Sequence, residues 1–263
     1  NFLSLKLSKI NFITSSNNTH KLNKNINIIS LKLFNLFNNR ILKTFFSSIL
    51  LIFELIKDRN VVVFSFQANL FAILIAKIFK VKILIRLNSS PSGWINKNWK
   101  KKIFKSIYSL SDLIIVNSVE FRNEIWKKLK IKSHCIYNPL DKNLIIKNSK
   151  LKINKKPFNI SRALKIINVG RLVDQKDQLT LLNSINNLKK DLKLEVLIMG
   201  DGYNYYSLQN FIEENKLNKL VRIIEFKENP YPYIKSSELF ILTSKYEGLP
   251  NVLLEAITLK KFI

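Results

Sequence analysis

The sequence predicts an α/β protein made of two successive parallel-sheet domains of the Rossmann-like kind. Three observations carry this. Short runs rich in Val, Ile and Leu alternate with longer helical patterns from about residue 60 onward, which is the signature of βαβ units. The alternation is broken once, by a polar Lys- and Asn-rich stretch over residues 140–164. The chain has 263 residues, 47% of them hydrophobic, enough for two modest cores, and its five glycines and six prolines argue against long disordered tracts.

In chain order, VVVFSF (61–66) reads as a buried strand and NLFAILIAKIF (69–79) as the helix after it. VKILIRL (81–87) is a second strand, followed by the polar loop NSSPSGW and a basic helix over 97–110. DLIIVNS (112–118), a helix over 120–129 and the strand-like HCIYNP (134–139) complete the first series. Residues 140–164 carry Pro157 and little periodicity, so they read as a linker, dividing the chain into domains 1–150 and 151–263. The second series has strands LKIINVG (164–170), LEVLIMG (194–200), VRIIEF (221–226) and ELFILTS (238–244), with helices over 177–190, 205–215 and 250–259. Open parallel sheets bind ligands beyond the carboxyl ends of their strands, and Gly170, Gly200 and Ser244 all fall there. A cleft between the two domains is the expected ligand site.

Composition narrows the functional classes. The formal net charge of +26 is uneven, with 29 Lys and Arg against 6 Asp and Glu over residues 1–160 but 15 against 12 over 161–263. A basic first half suits anionic lipid, nucleic acid or a phosphorylated substrate, or is simply a solvated lysine-rich surface. The single cysteine, Cys135, excludes an internal disulfide framework and a cysteine-rich metal site, and points to a reducing compartment. The opening FLSLKLSKINFI shows no charged leader with a cleavage site. TFFSSILLIFELI (44–56) is too short to span a bilayer and contains Glu54, so it reads as a buried or membrane-surface helix.

Three features can carry chemistry. In NVGRLVDQKDQLTLL (168–182), a strand ends at Gly170, Arg171 and Lys176 follow, and Asp177 is placed to cap the next helix. Two cations beside a helix N-terminus favour a diphosphate, Arg as a directed fork and Lys as a mobile charge. By spacing alone they read more readily as solvent-exposed surface cations. In MGDGYNYY (199–206), Gly200 and Gly202 flank Asp201 in a turn between strand and helix, which permits close ligand approach or is a plain turn. In SKYEGLPNVLLEA (244–256), Pro250 suits a first helical turn, with Glu247 in the loop before it and Glu255 inside the helix. Both carboxylates can then face sugar hydroxyls. Between these features, Asn229, Pro230, Tyr231 and Pro232 read as a rigid loop that presents backbone groups to a flat base, with Tyr233 packed beneath it.

The order GRLVDQKDQLTLL, GDG, ENPYPYI and YEGLPNVLLEA resembles the second domain of the retaining GT-B glycosyltransferases of the family 4 type, which include enzymes of bacterial surface-polysaccharide synthesis. The resemblance covers about 95 residues. It implies a nucleoside-diphosphate sugar as co-substrate, UDP-linked in preference to GDP-linked, no metal and no other cofactor. Arg171 and Lys176 match the family's diphosphate cations, Glu247 its contact to the transferred sugar, and Glu255 its contact to the ribose hydroxyls. Gly170, Gly200, Asp201, Gly202, Gly248, Leu249, Pro250 and Asn251 line the matching donor site, and Lys227, Glu228, Asn229 and Pro230 lie near the base. The implied acceptor is a glycan or a polyprenyl-diphosphate-linked sugar, met on the cytoplasmic side, with TFFSSILLIFELI flanked by Lys43 and Lys57 as a contact to an anionic membrane surface.

The first half departs from the family pattern. It lacks the glycine-rich loop and the acceptor-side histidine of many members. RLNSSPSGW offers Arg86, Asn88 and Ser89 instead, and YNPLD (137–141) takes the place of the hinge. His134 reads as a half-buried strand residue and His20 as a turn residue without a role. The expected family length places both ends of the domain pair outside this chain, leaving the second domain incomplete. A non-catalytic remnant and a nucleotide-sugar epimerase remain open as alternatives, and a nucleic-acid-binding protein rests on charge alone.

Overall fold

Near-continuous runs of aliphatic residues build the central strands of this protein in the computed structural model, as expected of parallel sheets covered on both faces. The structure describes residues 9–14, 26–30, 39–88, 91, 95, 97–153 and 156–263. The expectations for Ser89 and His20 lie outside them. One compact unit extends to Asn88 and takes in Ile95–Ile136, and a second contains Tyr137–Ile263.

In the first unit, β1 (Ile10–Ile13) and β2 (Ile26–Ile29) pair in parallel. Helix α1 (Arg40–Lys57) follows, capped by Asn39, whose side chain accepts from Ile41 N at 2.8 Å. Then come β3 (Val62–Ser65), α2 (Asn69–Ile78), β4 (Lys82–Arg86), α3 (Asn98–Tyr108), β5 (Leu113–Val116), α4 (Val119–Leu129) and β6 (His134–Cys135). The four strands β3 to β6 form a parallel sheet in sequence order. Ile83 and Ile85 are fully buried on central β4. Two expectations need correction here. The Val-rich run of β3 is an edge strand and leaves Val62 60% exposed, and His134, on the opposite edge, is exposed rather than half-buried.

The second unit opens with a further correction. The polar stretch expected as a linker contains helix α5 (Lys142–Asn148), capped by Asp141, which accepts from Leu144 N at 2.9 Å. Its Ile145 is buried, and the helix lies against α8 (Tyr231–Ser236) and α9 (Asn251–Thr258). The remaining elements are β7 (Leu164–Val169), α6 (Gln178–Leu188), β8 (Leu194–Met199), α7 (Tyr205–Glu214), β9 (Val221–Ile224) and β10 (Leu239–Phe240). The rigid loop expected over 229–232 ends earlier, because α8 starts at Tyr231. The expected strand over 238–244 shrinks to the two residues of β10, which also bridge to Phe262.

β8 is buried at every position, as a central parallel strand covered on both faces must be. Ile166, Val196 and Ile198 pack under Leu181, Leu182 and Ile185 of α6 and Leu208 and Ile212 of α7. Their neighbours Ile167, Val169, Leu197 and Met199 face the other way, against Ile234 of α8 and Ala256 of α9. The one carboxylate in β8, Glu195, is 4% exposed, and its burial is compensated. It accepts from Asn159 N and Ile160 N at 2.7–2.8 Å, and Arg222 lies 3.5 Å away. The segment entering β7 is thereby fastened to the sheet.

The strand order is β10-β7-β8-β9, all parallel. The chain runs outward from β7 through β8 to β9, then returns to the other side of β7 as β10. The order therefore reverses between β7 and β10, and the carboxyl ends of these two strands border the crevice where such sheets take ligands.

Candidate donor-binding site

The loops leaving β7 and β10 meet at this reversal point. After Val169, the chain turns through Gly170 and Arg171 and reaches Lys176 just before α6. Lys176 packs its alkyl chain over Gly170, where an added Cβ would meet the Lys176 methylenes at 3.6 Å, an ordinary van der Waals contact. The Lys176 ammonium is ion-paired with Glu247 Oε1, and both side chains are largely buried. Three further bonds join the same loops. Gln175 Nε2 donates to Tyr246 O at 3.0 Å, Lys245 N to Gln175 O at 2.9 Å, and Thr243 Oγ1 to Lys176 O at 3.0 Å. A lysine has three donors, so Lys176 can hold Glu247 and still reach an anionic oxygen.

Arg171 is exposed, and its carbonyl accepts from the buried Gln178 Nε2 at 3.0 Å. That bond, together with Asn168 Nδ2 donating to Ile241 O at 2.8 Å, fixes the backbone from which the guanidinium projects. Asp177 stands at the cap position of α6 in a left-handed conformation, but the expected capping bond is not made. Its carboxylate accepts from Thr180 Oγ1 at 2.9 Å instead, because the left-handed backbone redirects it.

The GDG turn is packed directly against this backbone. A Cβ on Gly200 would stand 1.8 Å from Gly170 O, and one on Gly202 2.2 Å from Leu172 O. Leu172 N donates to Asp201 O at 2.9 Å, and the Asp201 carboxylate accepts from Phe226 N at 3.3 Å. Asp201 is thus a bracket among three loops. Alongside, Asp174 accepts from Asn204 Nδ2 at 2.9 Å, and this bond holds its carboxyl below the usual carboxylate range.

The second glutamate has a different partner from the first. Glu255, in the second turn of α9, approaches Tyr231 Oη at 3.5 Å rather than Lys176, and burial raises its pKa. Tyr233 packs against the core cluster as expected, and so does the ring of Tyr231. Lys227 and Glu228 are exposed beside Asn229 and the buried Pro230.

Two contacts have no local sequence signal. Asn138 Nδ2 donates to Leu249 O at 3.3 Å and to Asn251 Oδ1, and Asn229 Nδ2 donates to Asn148 O at 3.0 Å. The segment 137–148 therefore braces both the loop through Gly248, Leu249 and Pro250 and the loop at 227–230. In the first unit, Arg86 closes β4, and Asn88 Nδ2 donates to Phe66 O at 3.4 Å. Both stand at the carboxyl end of that sheet.

Residues 149–263 match the family of glycosyl transferases group 1. The chain is 30% identical over 200 residues to an uncharacterized glycosyltransferase of Methanocaldococcus jannaschii, covering 71% of this chain and 49% of that protein. It is 32% identical over 197 residues to the N-acetylgalactosamine-N,N'-diacetylbacillosaminyl-diphospho-undecaprenol 4-alpha-N-acetylgalactosaminyltransferase of Campylobacter jejuni, covering 70% and 51%. The chain thus spans about half the length of the curated relatives it matches. Among solved structures, a glycosyltransferase from Rickettsia africae superposes with a TM-score of 0.74 at 20% identity, over 99% of this chain and 71% of that one. Anabaena HepE in complex with UDP and glucose superposes with a TM-score of 0.68 at 15% identity, over 90% and 65%. These likenesses show the fold.

Proposed function

For a chain that carries the GT-B fold and is related to the group 1 glycosyl transferases, we propose transfer of a hexose or N-acetylhexosamine from a UDP-sugar to a glycan or lipid-linked acceptor, with retention of configuration. The observation that carries the proposal is the Lys176–Glu247 pair at the β7/β10 reversal, with Arg171 on the same loop before α6. A group that departs as a nucleoside diphosphate gains negative charge, and cations already in place stabilise it without reorganisation. In this reading Arg171 and Lys176 hold the diphosphate, Glu247 orients both Lys176 and the sugar hydroxyls, and Glu255 accepts from the ribose. Gly170, Gly200 and Gly202 keep the backbone close to the phosphates, and residues 227–230 border the base.

The reaction exchanges one bond for another. The bond from the anomeric carbon to the diphosphate oxygen breaks, and the acceptor hydroxyl oxygen bonds to that carbon on the same face. The hydroxyl proton passes to the departing phosphate oxygen. Arg86 and Asn88 are the acceptor-side candidates. Supporting the donor class, the superposed Anabaena protein is described with UDP and glucose, and the Campylobacter relative is named for a diphospho-undecaprenol substrate. Incubation with labelled UDP-sugars and polyprenyl-diphosphate glycans tests it: the reading requires a product one sugar longer, with the donor's anomeric configuration. Donors recovered unchanged with every acceptor would count against transfer.

The membrane contact is part of the proposal. Among the described residues, no helix is long and apolar enough to cross a bilayer. Helix α1 exposes Ile41, Phe45, Phe53 and Ile56 and carries Lys43 and Lys57 near its two ends, the pattern of a helix lying on an anionic surface, as on the inner face of the cytoplasmic membrane. Co-sedimentation with anionic vesicles should weaken when both lysines become glutamine, and unchanged binding would argue against the contact.

A further inference from the structure

Tyr231 joins two parts of the site that the sequence presents as separate. It opens α8 immediately after the 227–230 loop, and its hydroxyl lies 3.5 Å from Glu255 Oε1 on α9. Both partners are held in place. The Tyr231 ring packs against the cluster of Ile167, Val169, Ile234 and Phe240, and the preceding loop is tied to α5 through Asn229 Nδ2 and Asn148 O at 3.0 Å. Glu255 is half-buried, one turn before the end of α9 and adjacent to the fully buried Ala256.

We propose that Tyr231 is a positioning residue that sets the Glu255 carboxylate for a vicinal diol, so that the site selects ribonucleoside over 2'-deoxyribonucleoside diphosphates. The proposal rests on the reading of Glu255 as the ribose contact. A carboxylate takes a cis-diol through both oxygens, which requires its plane to be fixed. Glu255 has a rotamer-rich side chain, and ordering it costs free energy whenever a ligand binds. A phenol anchored by its own packing restrains one oxygen in advance, and at 3.5 Å it leaves that oxygen able to accept from a second donor. The opposing effects on Glu255 agree with this geometry: burial raises its pKa and the Tyr231 hydroxyl lowers it. Because Tyr231 also begins the helix after the base-side loop, the same residue sets the spacing between base and ribose contacts.

Calorimetric titration of the wild-type chain with UDP and with 2'-deoxy-UDP, repeated for Tyr231→Phe and Tyr233→Phe, tests it. The wild type should prefer UDP by about 10-fold, the worth of one well-placed hydrogen bond to a charged group. Tyr231→Phe should reduce that preference to under about threefold, chiefly by weakening UDP, with an unchanged melting temperature. Tyr233→Phe, which removes a hydroxyl from the same helix, should keep it. A Tyr231→Phe protein that keeps the wild-type ratio, or that weakens both ligands equally, overturns the proposal. Wild-type binding of both ligands with equal affinity overturns the ribose contact while diphosphate binding stands, and absence of binding to either overturns the donor-site reading together with this inference.

Discussion

Lys176 and Glu247, 71 residues apart in sequence, form a largely buried ion pair that closes the loop after β7 onto the loop after β10. Breaking such a pair leaves an uncompensated charge, whereas removing both members does not. Lys176→Met should therefore lower both stability and affinity for a nucleoside diphosphate, the latter at least about 10-fold. Lys176→Met combined with Glu247→Gln should recover about 1 kcal/mol of the lost stability and none of the affinity. Denaturant titration and calorimetry on the wild type, Lys176→Met, Glu247→Gln and the double variant separate the two effects.

The glycines of the site should not respond alike. A Cβ at Gly170 meets only flexible methylenes at 3.6 Å, so Gly170→Ala should leave the melting temperature nearly unchanged. Gly200→Ala drives a methyl to within 1.8 Å of a backbone carbonyl, and Gly202→Ala to within 2.2 Å of another. Each should cost about 3 kcal/mol and abolish donor binding, as read by thermal melting and ligand titration.

Much of this was legible in the sequence, and the exceptions share a cause. The strands β7, β8 and β9 and the helices α6, α7 and α9 follow from aliphatic runs and from turn glycines, whereas the pairing of Lys176 with Glu247 comes from the reversal of strand order, which no single motif specifies. Helix α5 was hidden inside a polar stretch because it has seven residues and a single buried side chain, Ile145, although Asp141 supplied a start signal. Helix α8 was hidden by Pro230 and Pro232, which read as loop residues but fit a helical first turn. The bonds from Asn138 to Leu249 and from Asn229 to Asn148 link residues 111 and 81 positions apart, and asparagines in loops carry no local pattern that foretells such partners. The same holds for Tyr231 and Glu255.

Glu255 predicts a pH signature. Burial raises its folded pKa above the unfolded value, so the stabilisation associated with its neutral form is fully present below the unfolded pKa and is lost as pH rises through the folded pKa. At neutral pH the charged, half-buried carboxylate is a burden on the fold. Glu255→Gln should raise the melting temperature at pH 7, and the difference should shrink as pH falls below the ordinary glutamate range. A difference independent of pH would contradict the assignment.

Glu195 is a structural counterpart with the opposite expectation. Its carboxylate serves Asn159 N, Ile160 N and Arg222 from inside β8. Glu195→Ala would strand two backbone donors and open a cavity, at a cost of about 3 kcal/mol. Glu195→Gln should cost less, since the amide oxygen still accepts. Chemical denaturation of the two variants checks the order.

The central claim is that the crevice at the β7/β10 reversal binds the diphosphate of a nucleotide sugar through Arg171 and Lys176. Calorimetric titration of UDP into the wild-type chain and into the Arg171→Ala, Lys176→Ala double variant tests it most directly. The account predicts saturable binding by the wild type and a loss of at least about 100-fold in a double variant that stays folded. Equal UDP affinity in the two proteins would contradict it.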